Sequence, residues 1–243
     1  MKILELKVLS LLLFILFIAS CDDQICIDGE GEITTSTLVV ADFTGINLIT
    51  SSNVTIQQGA EISVEATGHP NVIDKVKTNV TNGVWNIDLE DGCYDNYELS
   101  FTITLPMLSR VDIDGAGDVV VQNFTNQGDL NVSIEGSGSV EFNEFVGTEN
   151  LTVTISGSGD ITGNADFTNL TQLNVSISGS GEYNAFPIQS ENATVDISGS
   201  GNIALTAMTT LNVNISGSGS VRYKGNPTIT SSITGSGQLI DAN

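Results

Sequence analysis

From Leu130 onward the apolar residues fall two apart: Leu130, Val132, Ile134; Leu151, Val153, Ile155; Leu173, Val175, Ile177; Leu211, Val213, Ile215. Asn, Thr and Ser stand between them. Period two marks a strand with one face in and one face out. Each run ends in a Gly-Ser-Gly corner. The corners are formed by Gly136 and Gly138, Gly157 and Gly159, Gly179 and Gly181, Gly199 and Gly201, Gly217 and Gly219, and Gly235 and Gly237. Gly115 and Gly117, flanking Ala116, form an earlier variant. After the corner the inward set resumes, with Val140 and Phe142, Ile161, Tyr183, Ile203 and Leu205, then Val221 and Tyr223.

The first glycines of successive corners are 21, 21, 22, 20, 18 and 18 residues apart. Repeats of that size are stacked units, none of which buries its apolar face alone. A propeller blade needs about forty residues, and leucine-rich repeats carry a different Leu/Asn pattern. About twenty residues suit one coil of a β-helix whose coils pair in parallel about 4.8 Å apart. Glycines on both sides of a small residue suit a tight bend, because they allow positive φ and carry no Cβ to strike the next coil. The predicted fold is all-β, a parallel β-helix or β-solenoid.

Upstream, turn signals at Gln58-Gly59, Gly68-His69-Pro70, Asn82-Gly83 and Asp91-Gly92 separate predicted strands at 46–49, 53–57, 62–67, 84–89 and 98–105. The stretch from Asn71 to Lys77 reads as a short helix or a turn. This half lacks the Gly-Ser-Gly corners and fits less regular first coils that cap one end. The expected organisation is a leader over residues 1–20, a tether over 21–37 and one solenoid domain over 38–240.

The leader reading rests on Lys2 and Lys7, the apolar run Val8–Ala19 broken by Ser10, and the ending Ile18-Ala19-Ser20-Cys21. The run is short for a membrane span. Its ending resembles a bacterial lipobox, which implies cleavage before Cys21 and a lipid anchor on that residue. Several acyl chains, at about 0.8 kcal/mol per buried CH₂, give durable attachment. Cys26 and Cys93 then remain as an even pair in an oxidising compartment, read as a disulfide or two free thiols.

Formal net charge is −22, and removing Lys2, Lys7 and Glu5 with the leader leaves 5 basic and 28 acidic residues. Such a surface excludes nucleic acid, whose binders carry a basic footprint. It also repels anionic headgroups and favours solubility.

Phe43-Thr44-Gly45-Ile46-Asn47, then Val54-Thr55-Ile56-Gln57-Gln58-Gly59, then Leu105-Pro106 before Val111-Asp112-Ile113-Asp114-Gly115-Ala116-Gly117-Asp118-Val119, then the corner series, come in a telling order. Together they resemble the autotransporter adhesin, head GIN domain family, over about residues 38–240. The resemblance implies a right-handed parallel β-helix, a secreted or lipid-anchored protein of Bacteroidetes, no catalytic residues and a role in adhesion. With Asp22 and Asp23 following Cys21, it favours the outer membrane and the cell surface, a periplasm-facing position being the alternative.

Candidate chemistry is sparse. Asp112, Asp114 and Asp118 are the carboxylates that could meet a cation or polysaccharide, yet their spacing matches no calcium motif; solvated carboxylates near a bend are the plainer reading. His69 is the sole histidine, so no triad is expected. Trp85, Tyr94 and Tyr97 are stacking candidates or core and rim residues. Corner serines Ser137, Ser158, Ser180, Ser200, Ser218 and Ser236 would form a hydroxyl column. No catalytic residue, metal or cofactor is expected. The expected function is non-enzymatic adhesion or envelope interaction through host or envelope glycans or proteins, with homo-oligomerisation open. The alternative is binding or cleavage of a polysaccharide in an acidic groove.

Overall fold

The computed structural model describes residues 26–243. The expected leader over residues 1–20 and the lipidation site Cys21 lie outside these residues. What is described is a β-solenoid whose regular structure is nearly all β.

Two parallel ladders run its length. The first joins Val84–Ile87, Gly45–Leu48, Arg110–Ile113, Leu130–Ile134, Asn150–Ile155, Gln172–Ile177, the ends of Glu182–Gly199 and Asn202–Gly217, and finally Thr228–Gly235. The second joins Leu99–Leu105, Asn53–Gln58, Val119–Val121, Ser139–Phe142, Asp160–Gly163, the starts of Glu182–Gly199 and Asn202–Gly217, then Ser220–Lys224 and Gln238–Asp241. The glycine corners lie between the ladders.

The period-two pattern becomes columns. In one of them Leu48 is aligned with Ile87 on one side and Ile113 on the other, and Ile134, Ile155, Ile177, Ile197 and Ile215 follow in register. All of these are buried. Each aliphatic side chain touches its copies above and below, so removal from water is shared along the stack.

At the corners the glycine requirement is mainly steric. Ser158 N–H donates to Gly136 O at 3.1 Å, Ser180 N–H to Gly157 O at 3.1 Å and Ser200 N–H to Gly179 O at 3.0 Å. These bonds draw each corner onto the one before. A Cβ on Gly136, Gly157 or Gly179 would fall well inside contact distance of the preceding corner's carbonyl oxygen.

The second glycine of each corner is closed in two directions. A Cβ on Gly138 would strike Gly117 O and crowd the Ile113 side chain, and one on Gly159 would strike Gly138 O and Ile134. Gly181 meets Gly159 O and Ile155 in the same way, Gly201 meets Gly181 O and Ile177, Gly219 meets Gly201 O and Ile197, and Gly237 meets Gly219 O and Ile215. These six glycines therefore sit between a backbone oxygen and a buried isoleucine of the coil before. The expectation that corner glycines supply positive φ is corrected here. Positive φ occurs in the corner series only at Gly199, Gly217 and Gly235, and at none of Gly138, Gly159, Gly181, Gly201, Gly219 or Gly237. Close stacking of the coils, more than backbone handedness, is what excludes a side chain.

Coil length follows the third side. Phe124 and Phe145 bridge in parallel there, and the rings of Phe124, Phe145 and Phe167 stack with 5.5 Å between successive centroids. In the later coils the third side runs as strand through Gln189↔Thr206 and Ser190↔Ala207. There Ile188, in the 20-residue coil, and Ala207, in the first 18-residue coil, are buried in place of phenyl rings.

Chain order and stacking order differ at the first end. Gly45–Leu48 and Asn53–Gln58 form the second layer, and the later segments Val84–Ile87 and Leu99–Leu105 lie outside them. Ser63–Gly68 turns antiparallel onto Leu99–Leu105, and Thr34–Leu38 pairs antiparallel with Ser63–Gly68. A short helix, Pro70–Ile73, buries Val72 and Ile73 against this end. Cys26 and Cys93 are bonded to each other, and Ile27–Asp28 pairs in parallel with Tyr94–Asp95 beside them. The described part of the stretch expected as a tether therefore carries two strands that belong to the cap.

Candidate binding face

From Arg110 to Thr230 the outer face of the first ladder is polar. One column runs Asn131, Thr152, Asn174, Thr194, Asn212, Thr230; its neighbour runs Asp112, Ser133, Thr154, Ser176, Asp196, Asn214, Ser232. Asn214 Nδ2 donates to Asp196 Oδ1 at 3.2 Å, one link between coils. Beside these columns stand the corner serines. Parallel in-register stacking repeats each amide and hydroxyl at the coil spacing, about 4.8 Å. Sequence periodicity alone marked these positions as outward.

Near the capped end the face deepens into a cavity of about 420 Å³ lined by Thr44, Asn47, Asn86, Arg110, Asp112 and Asn131, among others. Asn47 and Asp112 are partners across the ladder. Asn47 Nδ2 donates to Asp114 Oδ2 at 2.9 Å, and Arg110 Nε donates to Asp112 Oδ2. Asn47 Oδ1 and Asp112 Oδ1 are buried without a hydrogen-bond partner among the described residues. Burial pushes the Asp112 carboxyl above the usual carboxylate range; the hydrogen bond and charge of Arg110 pull it back, and Asp114 pushes it up. Arg110 is half exposed and lies over a carboxylate that is not.

This corrects the solvated reading for Asp112; Asp114 and Asp118 are exposed. Asp112 is largely buried, Asp114 is tied to Asn47, and Asp118 lies beyond the bend, where Oδ1 accepts from Ser139 N–H and Oγ–H at 3.1 and 2.7 Å. Among the described residues no group of three or more His, Cys, Asp or Glu is placed to hold a metal ion. His69 has a structural partner: its Nδ1 accepts from Glu98 N–H at 3.0 Å. Trp85 is fully buried and donates Nε1–H to Lys77 O at 3.0 Å, so it is core. Tyr94 donates its hydroxyl to Glu90 O at 2.9 Å. Tyr97 lines a second cavity, of about 310 Å³, with Asn53, Thr67 and Glu98. Sequence reasoning missed Asn47 and Arg110; only the pairing of Asn47 with Asp112, far apart along the chain, brings them together.

The chemistry on offer is recognition. Amide and carboxylate acceptors, a guanidinium and hydroxyls converge on one cavity, the inventory that meets adjacent hydroxyls on a sugar.

A family model described as "Putative auto-transporter adhesin, head GIN domain" matches residues 42–227. The chain belongs to this family. Solved structures share its fold. A "putative adhesin" from Bacteroides fragilis is 23% identical with a TM-score of 0.81, covering 88% of this chain and 99% of its own. A "putative lipid binding protein" from Parabacteroides distasonis is 24% identical with a TM-score of 0.72, covering 90% of this chain and 100% of its own. A "putative adhesin" from Parabacteroides merdae is 21% identical with a TM-score of 0.67, covering 89% and 99%. At these identities the likeness is one of fold. No curated protein sequence matches the chain. The adhesin-type names agree with a non-enzymatic protein of the cell surface or envelope. Among the described residues no helix is long and apolar enough to cross a membrane.

Proposed function

We propose that this head GIN domain is a non-enzymatic adhesin, held to the outer membrane by lipid on Cys21 and displayed at the cell surface. Its ligands are glycans or glycosylated proteins, met by the polar face of the first ladder. The observation that carries this reading is the unbroken run of outward Asn, Thr, Ser and Asp columns that ends in the cavity around Arg110 and Asp112. A rigid stack fixes the spacing of these groups before a ligand arrives, which lowers the ordering cost of binding. The family membership supports adhesion, and the lipobox-like ending Ile18-Ala19-Ser20-Cys21 supports the anchor.

Protease shaving of intact cells, paired with adherence of wild-type and gene-deleted cells to a panel of glycans and matrix proteins, tests the proposal. Loss of the domain on shaving and reduced adherence of the deletion strain are expected. A protected domain, or unchanged adherence across the panel, contradicts it.

A further inference from the structure

Among the described residues three cations are paired with carboxylates. Lys75 pairs with Glu90, Lys77 with Asp88 and Asp91, and Arg110 with Asp112. Arg222 and Lys224 make no ion pair among the described residues, although the chain carries 29 acidic residues to 7 basic ones. Both are exposed on strand Ser220–Lys224, two positions apart on one outer face, roughly 7 Å from each other along the strand. The strand lies inside the stack, with Asn202–Gly217 on one side and Gln238–Asp241 on the other.

A phenyl ring holds the two charges. Lys224 Nζ lies 4.8 Å from the centroid of the Phe186 ring, and Arg222 Cζ lies 5.9 Å from it. The ring quadrupole attracts both cations and steadies their flexible stems. Phe186 is itself anchored, because Thr206 Oγ1 donates to its carbonyl oxygen at 2.7 Å. Ala204 and Thr206, the register partners of Arg222 and Lys224, are buried although their columns face outward. Ring and stems cover this part of the face and leave the charged heads at the surface. Met208, 51% exposed, stands beside Gly225, the residue after Lys224, and adds an apolar contact.

Charge selects the ligand and limits its footprint. Over the earlier coils the Arg222 column carries Ala204, Asn184, Thr162 and Glu141, and the column beside it carries Glu182 and Asp160. A membrane surface laid on this face would press its headgroups against those carboxylates, and so would a polyanion running along the stack. One anionic sugar, on a chain that crosses the stack in the strand direction, meets the two cations alone. The guanidinium and the ammonium offer several N–H donors to a carboxylate or sulfate. Met208 offers a surface to the apolar face of the sugar ring.

The geometry points to a second binding site, formed by Arg222, Lys224, Phe186 and Met208, for a sugar that carries a carboxylate or sulfate group. It lies on the second ladder, apart from the polar face of the first, and does not depend on what that face binds.

Calorimetric titration of the purified full-length chain tests the site. The probes are an oligosaccharide containing glucuronate, the same oligosaccharide with its carboxyl groups reduced to alcohols, a sulfated counterpart, and glycerol phosphate as a soluble lipid headgroup. The glucuronate or the sulfated probe should bind at least fivefold more tightly than the carboxyl-reduced one, the tighter of the two naming the anion. Arg222→Gln and Lys224→Gln should each lower that affinity at least fivefold, and Phe186→Leu, which keeps both charges, should lower it as well. Lys75→Gln, with the same charge lost at the capped end, should leave it unchanged, while circular-dichroism melts verify the fold of each variant. No binding of either charged probe, equal binding of the carboxyl-reduced one, glycerol phosphate bound as tightly as the charged sugars, or indifference to both Arg222→Gln and Lys224→Gln would each overturn the proposal.

Discussion

Ser158 N–H donates to the carbonyl oxygen of Gly136 in the coil before it, at 3.1 Å, and a Cβ on Gly136 would collide in turn with Gly115 O. The corner therefore links three coils through backbone alone. Gly136→Ala should destabilise the protein by about 1–3 kcal/mol, the usual range for overpacking a tight site. Ser137→Ala removes an exposed hydroxyl and should lie within about 0.5 kcal/mol of wild type. Urea unfolding of both variants measures the contrast, and equal midpoints would mean that the corners are not sterically closed.

The disulfide closes a loop with a sequence separation of 67. Chain-entropy reasoning for a loop of that length gives about 4 kcal/mol, and native disulfides commonly contribute about 2–5 kcal/mol. Replacing Cys26 and Cys93 by Ser should loosen the cap first. Hydrogen exchange should quicken at Ile27–Asp28 and Tyr94–Asp95 and stay slow in the coils beyond Leu130, because each coil leans mainly on its neighbours.

Tyr183 occupies an inward position between Ile161 and Ile203, is fully buried, and its hydroxyl has no hydrogen-bond partner among the described residues. Burial holds its hydroxyl far above the usual tyrosine range. A buried polar group left unpaired costs about 1–3 kcal/mol. Tyr183→Phe should accordingly raise the thermal midpoint, and a lowered midpoint would show that the hydroxyl is bonded in solution.

Asp112 supplies a pH test. Its folded pKa is raised above the unfolded value, chiefly by burial. The native state therefore holds the proton more tightly. The stability this contributes is fully present below the unfolded pKa and is lost as pH rises through the folded one. Asp112→Asn lacks that dependence. The midpoint of wild type minus that of Asp112→Asn should fall as pH rises from below the ordinary aspartate value through the raised folded one. A difference that rises over the same range would mean that Arg110, not burial, governs the carboxyl.

Much of this architecture was legible because a solenoid writes its geometry into a local repeat. Val132, Val153 and Val175 announce an inward column through their spacing alone, and the separation of Gly136 and Gly157 gives the coil. The exchange of layers at the first end was hidden. Nothing local in Gly45–Leu48 says that it lies between Val84–Ile87 and Arg110–Ile113. The cavity was hidden for the same reason, since Asn47 and Asp112 meet only through that exchange. Burial of Asp112 was also unreadable, because its place in the outward column predicts exposure and Arg110 covers it. The shortening from 21 to 18 residues was visible as a number, but its cause needed the stacked rings of Phe124, Phe145 and Phe167.

The most direct test of the adhesive face is a glycan and glycoprotein array probed with the purified chain, with every bound glycan analysed afterwards for chain length. Asn131 and Asn212 are exposed on the outward column, in well-separated coils, so lysine at either should leave the fold intact. Saturable binding that drops at least tenfold in Asn131→Lys, with glycan chains of unchanged length, is the predicted result. Binding indifferent to both Asn131→Lys and Asn212→Lys, or glycans shortened after contact with the wild-type chain, would contradict it.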